Sequence, residues 1–206
     1  MIFWNTQSIF IRVPKTASTS ILYSLLDCSE KCSKHEFNKF FDSLKPSFLH
    51  KNYSGDPHHV SYQVLRNNIP TNERDLIDTY FKFTFVRNPF DRAISVWKYI
   101  QKMDSNNITF KEFVCKYLTA ECTDNGIWFS DQHSQIQGCD FIGKFENLQA
   151  DFDVVCDRLN IKRNPLPVKN TTKHKHYTEY YDDETLEIVS IKYKNDIESF
   201  DYKFGE

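Results

Sequence analysis

Two stretches of this chain share one grammar: a strand-forming run passes into a helical one through a short joint of cationic and hydroxyl residues. The first is SIFIRVPKTASTSILYSLL. Ser8 to Val13 reads as a strand, because Ile9, Phe10, Ile11 and Val13 favour a pleated backbone and Pro14 keeps Val13 extended. Ile21, Leu22, Leu25 and Leu26 then recur at helical spacing, so the chain must turn sharply between Lys15 and Ser20. A helix start leaves backbone N–H groups without partners and carries partial positive charge, which makes such a turn a natural anion cradle. Lys15 adds a full charge. Thr16, Ser18, Thr19 and Ser20 either cap the helix or hydrogen-bond the oxygens of a phosphate or sulfate.

The second joint lies in FKFTFVRNPFDRAISVW. Phe81, Phe83 and Phe85 alternate with Lys82, Thr84 and Val86 as a strand does, and Asn88-Pro89 is a helix start with Asn as cap and Pro at the first helical position. Ala93, Ile94, Trp97 and Ile100 line one helical face. The joint carries Arg87, and the helix presents Ser95 one to two turns in. Further along, Thr109 to Glu112 matches a capping box ahead of a helix reaching toward Leu118. CDFIGKFENL is a strand candidate and ADFDVVCDRLNI a helix. Leu186, Val189, Tyr193, Ile197 and Phe200 form one helical stripe behind acidic Asp182, Asp183 and Glu184. Residues 36–70 mix short apolar groups with turn signals, giving loops, short helices and at most a strand ending near Val60.

Strands alternating with helices predict an α/β fold, a single domain over residues 1–206 with a mostly parallel central sheet flanked by helices. In such sheets ligands collect beyond the carboxyl ends of the strands, where Lys15 and Arg87 are expected. A P-loop-like nucleotide-binding architecture follows, but the triphosphate pattern needs Gly before Lys and Ser/Thr, and Pro14 stands there. No acidic residue is placed for magnesium after a short apolar strand. The joint therefore reads as built for a nucleotide without a metal, with a nucleotide kinase or other phosphotransferase as the alternative.

With 206 residues, 40% of them hydrophobic and 16% aromatic, the chain can bury a sizeable core. A net charge of -2 argues against a general nucleic-acid binder. No apolar run is long enough for a membrane span, and no leader-like start is visible. Cys28, Cys32, Cys115, Cys122, Cys139 and Cys156 form no Cys-x-x-Cys pair and read as buried thiols of a reducing compartment. No metal is expected, since His58, His59, His174 and His176 fit no standard ligand spacing.

RVPKTASTS resembles the 5'-phosphosulfate loop of sulfotransferases that use 3'-phosphoadenosine-5'-phosphosulfate (PAPS), and FTFVRNPFDRAISVW resembles their 3'-phosphate element. HHVSY is similar to a segment of the carbohydrate enzymes, especially the 2-O-sulfotransferases of heparan and dermatan type, in which the histidine before Val-Ser-Tyr is the base. DFIGKFENL and the C-terminal YYDDETLEIVSIKYKNDIESFDYKF look like later segments of the broader family, so the resemblance covers most of the chain.

The resemblance implies transfer of a sulfuryl group from PAPS to a hydroxyl of a carbohydrate or small acceptor, giving 3'-phosphoadenosine-5'-phosphate (PAP) and a sulfate ester. Lys15 would meet the phosphosulfate and its bridging oxygen, backbone groups of Thr16, Ala17, Ser18, Thr19 and Ser20 the 5'-phosphate, and Arg87 with Ser95 the 3'-phosphate. Ala17 stands where many relatives have Gly. His59 would be the general base and His58 would orient it, although either could be the base. Arg12 resembles a substrate-contacting arginine, and Thr172 with Lys173, in VKNTTKHKH, a nucleotide-contacting flap; a solvated basic loop is the other reading. A module that binds PAP or glycan without turnover remains the third possibility. The resemblance and the lack of an anchor imply a cytoplasmic microbial or viral enzyme, or a Golgi-luminal domain; oligomeric state is not legible.

Overall fold

The computed structural model describes residues 1–26, 59–103, 107–119, 126–169 and 175–206. They form an α/β architecture that gathers into two compact units, residues 1–86 with 135–170 and residues 87–134 with 171–206.

The first unit holds a four-stranded mixed sheet in the order β1 (Ile2–Phe3), β2 (Ser8–Ile11), β3 (Phe81–Val86), β4 (Phe141–Lys144). β1 runs antiparallel to β2, while β2–β3 and β3–β4 are parallel. The strand expected from Ser8 to Val13 pairs only as far as Ile11, opposite Thr84, and β3 continues to Val86 opposite Lys144. Side-chain alternation divides the apolar residues between two faces. Phe10, Phe83 and Phe85 pack with Ile21 and Leu22 of α1 (Ser18–Leu25) and, across the same face, with Phe152, Val155 and Cys156. Ile9 and Ile11 pack on the other face with Tyr62 and Leu65 of α2 (Tyr62–Asn68) and Ile77 of α3 (Thr71–Asp78). No strand ends at Val60, which precedes the Ser61 cap of α2; residues 27–58 lie outside the described part.

Both faces of β3 are buried, including its polar positions. Burying a cation unpartnered would be costly. Lys82 is spared this because its Nζ donates to the carbonyls of Asp78 and Tyr80 at 2.9 and 2.7 Å, just past α3, and lies 3.6 Å from Asp140. Thr84 donates its hydroxyl to the Ile11 carbonyl at 2.8 Å.

The second unit is helical. α4 (Pro89–Met103) starts as the Asn-Pro signal requires: Asn88 Oδ1 accepts from Phe90 N–H at 3.0 Å. α5 (Phe110–Tyr117) carries the Thr109–Glu112 capping box in full, with Thr109 N–H donating to Glu112 at 2.7 Å. The expected face of α4 is buried through Ala93, Ile94 and Trp97, packed with Phe110, Phe113, Val189 and Tyr193. In the first unit, α6 (Leu148–Leu159) follows β4 as its sequence suggested.

The C-terminal stripe departs from expectation. It is split into α7 (Asp183–Lys192) and α8 (Lys194–Phe200) by Tyr193, whose φ and ψ of -110° and 27° leave the helical region. The break serves packing, since Tyr193 is buried with its ring 5.6 Å from the Arg92 guanidinium, and Asp196 beyond it is wholly buried. Periodicity reports which residues face the core but not that the backbone bends between them.

Gly143 sits opposite Phe85 in the β3–β4 ladder, and a Cβ built there would fall 2.4 Å from Phe85 Cε1 and 2.7 Å from Cδ1. Gly143→Ala is therefore expected to cost about 1–3 kcal/mol through overpacking. Denaturant unfolding checks this, and an unchanged midpoint would show that the Phe85 ring swings aside freely.

Candidate functional site

The joint between β2 and α1 is shaped by its backbone. Lys15 has φ +69° and Ala17 φ +59°, two left-handed residues on either side of Thr16. Such conformations cost an L-residue roughly 1–2 kcal/mol each and are kept where the surroundings impose them. The loop is braced from within. Thr16 Oγ1 donates to the Val13 carbonyl at 3.0 Å, and Arg12 Nη2 donates to Ser18 Oγ at 3.4 Å.

Ala17 is the N-cap of α1 and supplies no side-chain oxygen. Of the two roles left open for these hydroxyls, capping is not the one taken up: Thr16 spends its hydroxyl on the loop, and Ser18, Thr19 and Ser20 lie inside the helix. Thr16, Ser18 and Ser20 are buried, whereas Lys15, Ala17 and Thr19 are half-buried. What the joint offers an anion is the set of first-turn N–H groups, the positive end of the helix dipole and the Lys15 ammonium.

His59 reaches the same loop from 47 residues further along the chain. Its Nδ1 lies 2.7 Å from the Arg12 carbonyl oxygen, and the residue is 7% exposed. A carbonyl oxygen only accepts, so Nδ1 carries a proton, and in the neutral form of the ring the lone pair is on Nε2. That is the tautomer a general base requires at Nε2. Arg12, expected as a substrate contact, is also buried, with its guanidinium turned toward Ser18. His58, Thr172, Lys173 and His174 lie outside the described residues.

Arg87 follows the last residue of β3 and belongs to the helical unit. Its Nε and Nη2 donate to one carboxylate oxygen of Asp91 at 2.8 and 2.7 Å, which orients the guanidinium. Its backbone N–H donates to Gln132 Oε1 at 2.9 Å, and its carbonyl accepts from Gln132 Nε2 at 2.8 Å. Ser95 stands one helical turn beyond Asp91 and is buried. Gln132 is in turn held by Asp196, whose Oδ2 accepts from Gln132 N–H at 3.0 Å and Nε2 at 3.1 Å, while Oδ1 accepts from His133 N–H at 2.7 Å. Burial pushes the Asp196 carboxyl up, against the pull of Arg92 and of these donors.

Sequence reasoning did not find Asp91, Gln132 or Asp196. Asp91 was within reach, since an acid four residues after an arginine at a helix start is a local pattern. Gln132 and Asp196 come from segments 45 and 109 residues beyond Arg87 and left no local signal. Of the cysteines expected to be buried, Cys156 is, Cys139 is partly so and Cys115 is exposed, while Cys28, Cys32 and Cys122 lie outside the described residues. Burial pushes the Cys139 thiol up to about 12 and the Cys156 thiol up to about 11. Among the described residues no group of His, Cys, Asp or Glu is arranged to hold a metal ion, and no helix is long and apolar enough to cross a membrane.

Comparison with known proteins bears on what these joints do. Residues 4–203 match the model of the sulfotransferase family. A protein of Archaeoglobus fulgidus, named only as uncharacterized, is 28% identical over 99 residues, covering 48% of this chain and 80% of its own length. No solved structure matches the chain.

The left-handed conformation of Ala17 gives a direct test of the joint. Ala17→Gly removes the Cβ penalty and adds only the smaller unfolded-state entropy of glycine, so thermal unfolding should show a gain of about 1 kcal/mol. A loss would mean that the native backbone does not occupy this region.

Proposed function

Because this chain belongs to the sulfotransferase family, whose members transfer a sulfuryl group to an acceptor, we propose that it takes that group from PAPS and passes it to a hydroxyl of a carbohydrate or related acceptor. The observation that carries this reading is the β2–α1 joint: a helix start whose cap supplies no side-chain oxygen, with a lysine on a left-handed backbone before it. That arrangement suits the 5'-phosphosulfate end of the donor. The carbohydrate branch rests on the HHVSY likeness to the 2-O-sulfotransferases and on His59 in the tautomer a base needs.

In the reaction the acceptor oxygen attacks sulfur, the bond from sulfur to the bridging oxygen breaks, and PAP departs with that oxygen. His59 Nε2 takes the acceptor proton. The Arg12 carbonyl holds the opposite edge of the ring and accepts from its Nδ1–H, which becomes a stronger donor as the imidazolium forms. Lys15 neutralises the charge that grows on the bridging oxygen. N–H groups from Thr16 to Ser20 hold the 5'-phosphate, and Arg87 with Ser95 holds the 3'-phosphate. Thr172 and Lys173 add contacts to the nucleotide, Arg12 and His58 to the acceptor, and residues 1–206 act as one catalytic domain. As in phosphoryl transfer, the protein's work is alignment and charge neutralisation. PAPS supplies the sulfuryl group itself, and no metal is assigned a part.

Two kinds of variant separate these roles. Lys15→Ala should lower turnover by about 10²-fold or more while PAP still binds, whereas Arg87→Ala should weaken PAP binding by roughly 10–100-fold. Radiolabelled donor with a panel of acceptor sugars, alongside calorimetry with PAP, checks both; normal turnover by Lys15→Ala at saturating donor would overturn the mechanism. His59→Gln keeps the size and polarity of the side chain but has no basic nitrogen, so turnover should fall by about 10²–10⁴-fold with PAP affinity unchanged. Binding of ATP with magnesium in preference to PAP would instead point to phosphoryl transfer.

A further inference from the structure

Gln132 treats Arg87 as a neighbouring strand would. Past the last ladder pair of β3, where Val86 stands opposite Lys144, the Gln132 carboxamide takes up both backbone groups of the next residue, accepting its N–H and donating to its carbonyl. Gln132 is wholly buried, and so is Asp196, which fixes the amide by accepting from Nε2 and fixes the Gln132 backbone by accepting from its N–H. The amide is therefore held against flipping: Oε1 must face the Arg87 N–H, and Nε2 bridges the Arg87 carbonyl and the carboxylate.

A buried carboxylate is an expensive way to hold a helix down, since apolar side chains of like volume are often no less stabilising. Its advantage is geometric, because a fully satisfied polar network allows one arrangement of its members. Here that arrangement ends on the backbone of a single arginine, whose guanidinium is separately oriented by Asp91. Fixing both ends of Arg87 before a ligand arrives removes the ordering cost that a long, rotamer-rich side chain would otherwise charge against binding.

We infer that Gln132, anchored by Asp196, is a positioning residue that presets Arg87 for the 3'-phosphate of the nucleotide. This rests on the assignment of Arg87 to that phosphate under the proposed function. Gln132 touches no reacting atom; it acts through Arg87, so its loss should appear as lost preference for a 3'-phosphorylated nucleotide rather than as general weakening.

The test compares PAP with AMP, which lacks the 3'-phosphate, by calorimetry on the full chain. Gln132→Met keeps the volume and removes both amide contacts. It should lose roughly tenfold or more in PAP affinity, as expected for a disturbed hydrogen bond to a charged group, with AMP affinity unchanged. Asp196→Ala, which removes the acceptors that hold Gln132, should shift the ratio the same way and stands in if Gln132→Met does not fold. Should both variants fold and keep the wild-type ratio of PAP to AMP affinity, the positioning role is wrong while the assignment of Arg87 survives. A wild-type chain that binds AMP as tightly as PAP removes the 3'-phosphate assignment and this inference with it. Unfolding of both variants would overturn the inference in favour of a purely structural role.

Discussion

The parallel pairing of β2 with β3 is the constraint from which the rest follows. Ile9 lies beside Lys82 and Ile11 beside Thr84, so the two strands point the same way and end at the same edge of the sheet. A parallel pair cannot be closed by a tight turn, so each strand hands the chain to a helix or a long connection. The cationic joints after Ile11 and after Val86 are the direct consequence. Burial on both sheet faces makes this pairing costly to slip, because a shift of β2 by one residue would carry Phe10 to the face now held by Ile9 and Ile11.

Each joint is preset by a different means. After β2 the work is done by backbone conformation: two left-handed residues bend the chain so that α1 begins with no side-chain cap, and Thr16 spends its hydroxyl on the loop rather than on the helix. After β3 the backbone is held by side chains, with the Gln132 carboxamide bonding both backbone groups of Arg87 and Asp91 steering the guanidinium. Both solutions accept a local cost, left-handed residues in one and a buried carboxylate in the other. The chain belongs to the sulfotransferase family, and under the proposed function such costs fall where groups are placed before the ligand arrives.

Features that depend on residues close in sequence were legible in advance. The Asn88-Pro89 helix start and the Thr109–Glu112 box involve contacts within a few residues, so their grammar survives folding unchanged. Ala17 was singled out only through the family resemblance, and its φ of +59° shows a left-handed backbone of the kind that glycine adopts without a Cβ penalty. The stripe from Leu186 to Phe200 named the buried residues but not the bend at Tyr193, because a stripe is the same whether one helix carries it or two.

By itself the sequence determined the alternation of strands and helices, the two cationic joints and the histidine before Val-Ser-Tyr, since propensity, capping and spacing are written in neighbouring residues. Only the tertiary structure decided that His59 bonds to the Arg12 carbonyl and so bears its proton on Nδ1, and that Gln132 and Asp196 stand behind Arg87. These are contacts between segments tens of residues apart, and their partners are chosen by how the core packs, for which a local pattern holds no record.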